Sequence, residues 1–227
     1  MNYLFWYPWD RQMTRVLRAV FPAHREELVV ATGAWNLGAW WVHRGIEQAL
    51  RRLRTDYLDV FQLLWLGQGR LSERVYDVLL EARRKGRIRW IGVSTHARAY
   101  AAELVRQGRL DVLMIRYNAA HRGAEQEVFP YLATSNPGVV AYTATRWGRL
   151  LTRPKGWPAS ERLATAGDCY RFVLTNSHVH VCLTAPRSLA QLRENLSALE
   201  RGPMSEEEAA FMRRLGDVVH AQNRWFL

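Results

Sequence analysis

The sequence predicts an α/β fold of the (β/α)8 barrel class, for three reasons. Short apolar runs rich in β-branched residues alternate with amphipathic stretches. The runs start at intervals of about 23–40 residues, which is typical of repeated βα units whose strands form a parallel sheet. An open nucleotide-binding sheet would usually have a glycine-rich turn after its first strand, and none is present here. We therefore favour a barrel over an open doubly wound sheet.

Six apolar runs are predicted to be strands. They are residues 28–33, 58–65, 88–94, 111–117, 138–144 and 179–184. The opening segment brings the recognisable strands to seven, one fewer than a complete barrel needs. The strand-poor stretch 146–177 predicts a long loop with one helix, and nothing in the sequence marks a domain boundary. Residues 1–227 are therefore predicted to form a single barrel domain.

The helix limits are indicated by capping residues. Asp10 and Ser72 each precede an amphipathic stretch and are predicted N-caps, and Gly86 is a predicted stop after the second of them. Further along, Ser188 with Gln191 and Ser205 with Glu208 have the spacing of capping boxes. The helices that begin there are expected over residues 188–202 and 205–219.

Composition excludes several classes of protein. No apolar run approaches the length of a membrane span, and no signal segment opens the chain, so the default expectation is a cytoplasmic protein. Two cysteines form neither a disulfide framework nor a metal-ligand pattern, and we expect no metal. The net charge of +11 comes from dispersed arginines without a nucleic-acid-binding motif, which argues against a dedicated nucleic-acid partner.

Five stretches, in order, resemble signposts of the aldo-keto reductase family. They are "ALRRLRTDYLDVFQLLW", "GRIRWIGVSTH", "IRYN", "VVAYTATRWGRLL" and "RSLAQLRENLSAL". The resemblance implies a (β/α)8 barrel that binds NADP(H) at its C-terminal mouth and reduces aldehydes and ketones. It also implies a catalytic tetrad in which a tyrosine donates a proton and a lysine, an aspartate and a histidine assist, because an unperturbed phenol is a poor acid at neutral pH.

Three tetrad positions are replaced when the family motifs are laid on this sequence. Asp-Thr-Ala-x-x-Tyr matches "NYLFWY", with Asn2 at the aspartate and Tyr7 at the tyrosine. Thr-Lys matches "ATGAW", which puts Gly33 at the lysine, and Gln-Leu-His-Trp matches "QLLW", which puts Leu64 at the histidine. Tyr7 and His96 remain as candidate proton donors. The alternatives are that Tyr7 is one more aromatic in a tryptophan-rich cluster and that His96 is a helix cap or a solvated residue.

The resemblance implies a partly preserved cofactor site. The candidate NADP(H) contacts are Ser94, Tyr142, Arg187, Glu194 and Asn195. Thr95, Met114 and Ala185 depart from the family pattern, so weakened or absent NADP(H) binding is expected. Arg187 is equally consistent with a solvated arginine.

The ten tryptophans are as consistent with a pocket or an interface as with the core. The predicted lining residues of the pocket are Trp6, Trp35, Trp65, Arg146 and Trp147. The leading hypothesis is a family member that has left the reductase mechanism and binds a small aromatic or apolar molecule, as a different catalyst or as a binder. The alternatives are an NADP(H)-dependent oxidoreductase that uses Tyr7 or His96, and a non-catalytic interaction subunit.

The opening of the chain carries a further expectation. The sequence begins inside the Asp-Thr-Ala segment, so the first strand and helix of the family are expected to be missing, whether or not Met1 is the true start. Unpaired strand edges invite a partner. The gap is therefore expected to be closed by a rearranged terminus, by a contracted barrel, or by a partner chain, which could be a second copy of this chain.

Overall fold

The structure is a computed structural model that describes residues 2–67 and 70–222. Seven β-strands lie in this part of the chain: β1 Tyr3–Phe5, β2 Val29–Trp35, β3 Leu58–Leu64, β4 Ile88–Thr95, β5 Val112–Arg116, β6 Gly138–Tyr142 and β7 Val181–Cys182. The α-helices of the same part are α1 Arg11–His24, α2 Ala39–Leu53, α3 Glu73–Arg84, α4 Arg98–Arg106, α5 Ala124–Glu127, α6 Ala166–Thr175, α7 Leu189–Arg201 and α8 Glu206–Ala221. The strands form one sheet in the order of the chain, and the predicted α/β fold is confirmed.

The chain comprises two compact units. Unit 1 extends to Leu113 and includes Thr134–Pro137, and unit 2 takes in Met114–Ala133 and the chain from Gly138 onward. That residues 1–227 form a single barrel domain therefore stays a prediction.

Unit 1 contains four neighbouring parallel strands, β1 to β4. Every residue of β3 is buried, because helices cover one face of the sheet and neighbouring strands' side chains fill the other. Helix α3 begins at Ser72, whose side chain accepts from the Val75 N–H, and Gly86 follows its end in a left-handed conformation. Both predictions are confirmed, as is the Asp10 N-cap of α1.

A buried carboxylate joins the amino ends of the unit 1 strands. Asp59 accepts from the Val30 N–H at 2.9 Å, from Arg25 Nη1 at 2.9 Å and from Arg89 Nη1 at 3.0 Å. The guanidinium of Arg25 also lies 3.8 Å from the ring centroid of Tyr57. Since the carboxylate is buried and paired with two arginines, these contacts hold the turn after α1 and strands β2, β3 and β4 together.

Unit 2 is centred on an aromatic cluster. The Tyr117 ring lies 5.3 Å from Phe129 and 6.1 Å from Phe172, and its hydroxyl donates to Glu125 at 2.5 Å. Helix α8 begins with a complete capping box of Ser205 and Glu208, as predicted. Ser188 caps α7, but the Gln191 side chain accepts from the Arg187 N–H, so the predicted box there is only half present.

Two expectations concern membranes and metals. No helix of the described residues is long and apolar enough to cross a membrane. Within residues 2–67 and 70–222 there is also no group of three or more histidine, cysteine or acidic side chains placed to hold a metal ion.

Candidate functional site

A column of aromatic rings lies at the carboxyl ends of β1 and β2 in unit 1. Phe5 ends β1, and a turn at residues 8–9, closed by the Asp10 N–H to the Tyr7 carbonyl, brings Trp9 beside Tyr7. The Tyr7 ring stacks on Trp9 at 4.7 Å and contacts Phe5 edge-on at 4.9 Å. Trp9 lies nearly parallel to Trp35, the last residue of β2, with centroids 5.9 Å apart. Trp35 is 49% exposed, so the column keeps a face open to solvent.

Trp6 is not part of this column. Trp6 points to the opposite side of the chain, is 0% exposed and donates from its indole nitrogen to Thr14 at 2.9 Å. The prediction that Trp6 lines a pocket is therefore wrong. It is a core residue that holds β1 against α1.

Gly33 and Leu64, the positions matched to the family's lysine and histidine, pack against each other. A Cβ atom built on Gly33 would lie 2.2 Å from the carbonyl oxygen of Gln62 and 2.9 Å from Leu64 Cγ. No side chain fits at Gly33 without movement of the β3 backbone, and Leu64 occupies the space beside it. The two replacements are therefore coupled, and neither position carries a group that can transfer a proton.

Gln62 of β3 has no side chain beside it at the same register on either adjacent strand. Gln62 is paired in register with Gly33 on β2 and with Gly92 on β4, and both neighbours are glycines. The Gln62 side chain lies over Gly92, where an added Cβ would meet its Cγ at 2.6 Å. Its amide nitrogen donates to the Tyr3 hydroxyl at 3.4 Å, whereas its buried Oε1 has no hydrogen-bond donor among the described residues.

The position of Asn2 in the structure does not agree with its match to the family's aspartate. Asn2 precedes β1, at the amino end of the strand, and its side chain donates to the Glu27 carbonyl. Barrel enzymes place their chemistry at the carboxyl ends of the strands, and β1 ends at Phe5. If the Asp-Thr-Ala-x-x-Tyr motif is counted from Phe5, its tyrosine falls on Asp10, which caps α1 through the Met13 N–H.

Tyr7 stays a predicted proton donor, but its surroundings do not activate it. Burial raises the pKa of Tyr7, which makes the phenol a weaker acid. In the described part of the chain no side chain hydrogen-bonds with its hydroxyl, and no cation stabilises its anion.

The ends of β3 and β4 hold the remaining unit 1 candidates. Trp65 follows β3 with φ +52°, is exposed, and lies 6.5 Å from the exposed His96 ring. A bulky residue in the left-handed region is strained, as is common at functional sites. Ser94 is buried with no described hydrogen-bond partner for its hydroxyl, and the Thr95 hydroxyl donates to the Leu66 carbonyl at 2.5 Å.

In unit 2 the segment after β6 is also strained. Tyr142 ends β6, and Thr143, Arg146 and Trp147 have φ values of +61°, +50° and +51°. Left-handed backbone is unfavourable for the β-branched Thr143, whose carbonyl accepts from Asn118. Trp147 is exposed, and its place in a pocket stays a prediction.

Arg146, by contrast, does not line an open pocket. It is 1% exposed, its Nη1 donates to the Val219 carbonyl of α8 at 2.7 Å, and its Nε donates to His121 Nε2 at 3.1 Å. Burial, with Arg149 and Arg116 nearby, lowers the pKa of Arg146. The pocket prediction for Arg146 is wrong, because this side chain ties the loop after β6 to the last helix.

The candidate adenosine contacts lie at α7 in unit 2. Glu194 accepts from the Ala166 N–H at 3.1 Å, and Asn195 donates to the Thr184 hydroxyl at 2.7 Å. Both side chains therefore already hold neighbouring elements together. Arg187 is exposed, and no described residue pairs with its guanidinium.

The model of the aldo/keto reductase family matches residues 11–155. This chain belongs to the aldo/keto reductase family. The match begins in α1 and runs through the ends of β2 to β6, so it includes the Gly33 and Leu64 positions.

Relatives and solved structures agree with the family. The chain is 23% identical to the NADH-specific methylglyoxal reductase of Escherichia coli, over 81% of this chain and 67% of the relative. It is 24% identical to the L-galactose dehydrogenase of Arabidopsis thaliana, over 77% of this chain and 65% of the relative. The chain thus spans about two thirds of the length of these curated relatives.

Two solved structures show the likeness of fold. The apo form of an aldo-keto reductase from Bacillus halodurans matches with a TM-score of 0.79 at 21% identity, over 95% of this chain and 81% of that chain. An aldo-keto reductase from Klebsiella pneumoniae in complex with NADPH matches with a TM-score of 0.77 at 21% identity, over 96% of this chain and 80% of that chain. The predicted (β/α)8 fold of aldo-keto reductase type, with seven recognisable strands, is confirmed.

The residues present fit NADP(H) only in part. The exposed Arg187 guanidinium and the Ser94 hydroxyl have no hydrogen-bond partners in the described ranges, which suits a phosphate and a carboxamide. Against this, Glu194 and Asn195 are engaged within unit 2, and Met114, which is buried, offers no amide.

One residue of the site was not predicted from the sequence, and another was expected only as part of a cluster. Trp9 was expected as a member of the tryptophan-rich cluster around Tyr7, and the structure shows that it links Tyr7 to Trp35. Gln62 was passed over because it lies inside an apolar strand, and only the register shows that glycines flank it on both sides.

Proposed function

We propose that this protein binds a small aromatic or apolar organic molecule at the carboxyl ends of β1 to β3. On this proposal its own residues do not carry out the carbonyl reduction of its family. The observation that carries the proposal is the interlock of Gly33 with Leu64 and the β3 backbone, since it leaves an apolar surface where the family mechanism needs a cation and an imidazole.

The shape of the aromatic column supports this ligand class. Trp35 pairs in register with Leu64, so an exposed indole adjoins an aliphatic side chain at the strand ends. Flat apolar ligands gain both apolar burial and ring stacking on such a surface. The buried Oε1 of Gln62, which no described donor satisfies, can accept one hydrogen bond from a ligand hydroxyl or from water.

An NADP(H)-dependent oxidoreductase is the second candidate function. It is favoured by the NADPH present in the Klebsiella pneumoniae relative and by the exposed, unpaired Arg187 of this chain. It would need Tyr7 or His96 as the proton donor, and burial has moved the pKa of Tyr7 away from the value that an acid needs.

A calorimetric titration with 2-naphthol tests the proposed ligand class. We expect Trp35→Ala to weaken 2-naphthol binding by about fivefold or more, because one aromatic stacking pair contributes about 0.5–1.5 kcal/mol beyond area burial. The matched control is Trp90→Ala. The exposed fraction of Trp90 is 52%, similar to the 49% of Trp35, but Trp90 has no stacking partner among the described residues.

The two variants also give the outcome that would contradict the proposal. Equal affinity in the wild type, Trp35→Ala and Trp90→Ala would show that the column does not bind the ligand. Equal weakening in both variants would show only that exposed tryptophans bind 2-naphthol without selectivity.

A further inference from the structure

A cleft on the side of unit 1 is lined by four arginines. Its volume is about 400 Å³, and its walls are formed by α1, the end of α2 and Pro8. The lining residues are Pro8, Arg11, Thr14, Arg15, Arg18 and Arg52. No acidic side chain is among them.

Two of the four guanidinium groups are positioned by backbone carbonyls. Arg18 Nε donates to the Arg52 carbonyl at 2.6 Å, and Arg52 Nη1 donates to the Pro8 carbonyl. A carbonyl orients a guanidinium without neutralising it. Arg18 at the end of α2 also complements that helix dipole, but the charge stays available to the cleft.

The other two arginines have no polar partner. Among the described residues, no hydrogen bond or ion pair engages the side chains of Arg11 and Arg15, and both are exposed. Arg11 is the first residue of α1, whose first turn contains no acidic residue. The N-cap Asp10 places one carboxylate at this end of α1, and that carboxylate accepts from the Met13 N–H. The like charges of Arg11 and Arg15 at i, i+4 still repel each other, so a bound anion would relieve a cost in helix stability.

We propose that this cleft is a binding site for a small soluble polyanion that carries at least two phosphate groups. Guanidinium groups match phosphate oxygens with paired N–H donors, and four of them around one cleft exceed what a single phosphate can use. The concave shape and limited volume favour a small ligand over an extended one. The arginines of the cleft lie on helices α1 and α2, and the cleft adjoins the aromatic column at Pro8, between Tyr7 and Trp9.

Calorimetric titration of the 227-residue chain with tripolyphosphate tests the site. The double variant Arg11→Gln, Arg15→Gln is expected to weaken tripolyphosphate binding by about tenfold or more, since it removes two charge-assisted donors from exposed positions. The double variant Arg11→Lys, Arg15→Lys keeps the charge but loses the paired donors, and we expect an intermediate affinity. Raised sodium chloride should weaken binding to the wild type.

Two controls distinguish binding in the cleft from an effect of net charge and from binding at the candidate cofactor contact. The double variant Arg74→Gln, Arg193→Gln removes the same charge from exposed positions outside the cleft and should leave the affinity within about twofold. Arg187→Gln, which alters the candidate cofactor contact, should do the same.

Three results would overturn the proposal. The first is the same loss of affinity in the cleft variant and in the Arg74, Arg193 control. The second is loss in Arg187→Gln alone. The third is binding of an oligonucleotide or of phosphoinositide vesicles through Arg11 and Arg15 without any binding of tripolyphosphate, which would assign the cleft to an extended partner.

Discussion

Gly33→Ala destabilises the protein by about 3 kcal/mol or more, although it adds only one methyl group. The new Cβ would stand 2.2 Å from the Gln62 carbonyl oxygen, which belongs to the backbone of the adjacent strand and has no rotamer through which to withdraw. Denaturant unfolding of the wild type and the variant measures the loss. The same geometry means that a lysine placed at this position does not restore the family's catalytic group without damage to the sheet.

Gly67→Ala is the matched control for this prediction. The nearest atom to a Cβ at Gly67 is the Trp65 carbonyl oxygen at 3.8 Å, an ordinary contact, so the change should stay within about 0.5 kcal/mol. A Gly33→Ala protein as stable as Gly67→Ala would show that the β2–β3 interlock is looser than the structure describes. The presence of glycine at position 33 would then have no steric cause.

Asp59→Ala is expected to cost about 3–5 kcal/mol of unfolding free energy. The side chain of Asp59 is 5% exposed and that of Arg25 is 11% exposed, so the substitution leaves the charge of Arg25 without its carboxylate and the Val30 N–H without its acceptor. The bonds from Arg25 to Thr55 and to two backbone carbonyls remain, but none of these acceptors carries a charge. Thermal or denaturant unfolding measures the change.

Two comparisons make the Asp59 prediction specific. Asp77→Ala removes an exposed carboxylate and should change stability by less than about 0.5 kcal/mol. Arg89→Ala removes the 51%-exposed partner of Asp59 and should cost less than about 1 kcal/mol, because the Arg25 pair remains. A loss for Asp59→Ala no greater than that for Arg89→Ala would mean that the buried pair does not hold the strand ends together.

The fold was predictable from the sequence because local patterns encode it. Each of the six apolar runs became a strand, and the caps Asp10, Ser72 and Ser205 act as their positions indicate. These signals depend on neighbours within a few residues, and the sheet follows from their order.

The site was predictable only in part, because register and side-chain direction are not local properties. Three residues of shift separate Asn2, at the amino end of β1, from Phe5, at its carboxyl end, and sequence matching alone did not fix that shift. Trp6 and Tyr7 are adjacent in sequence, yet Trp6 is buried and Tyr7 lies in the column. Arg146 was expected in a pocket, and its partners Val219 and His121 lie far from it along the chain.

NADPH oxidation in the presence of methylglyoxal tests the central claim most directly, when the wild type, Tyr7→Phe and His96→Ala are compared. We expect no turnover by the wild type above the rate without protein, because Gly33 and Leu64 supply neither cation nor imidazole and the pKa of Tyr7 is raised by burial. The two variants should then be indistinguishable from it. Steady turnover by the wild type that Tyr7→Phe or His96→Ala abolishes would contradict the account and establish a working reductase.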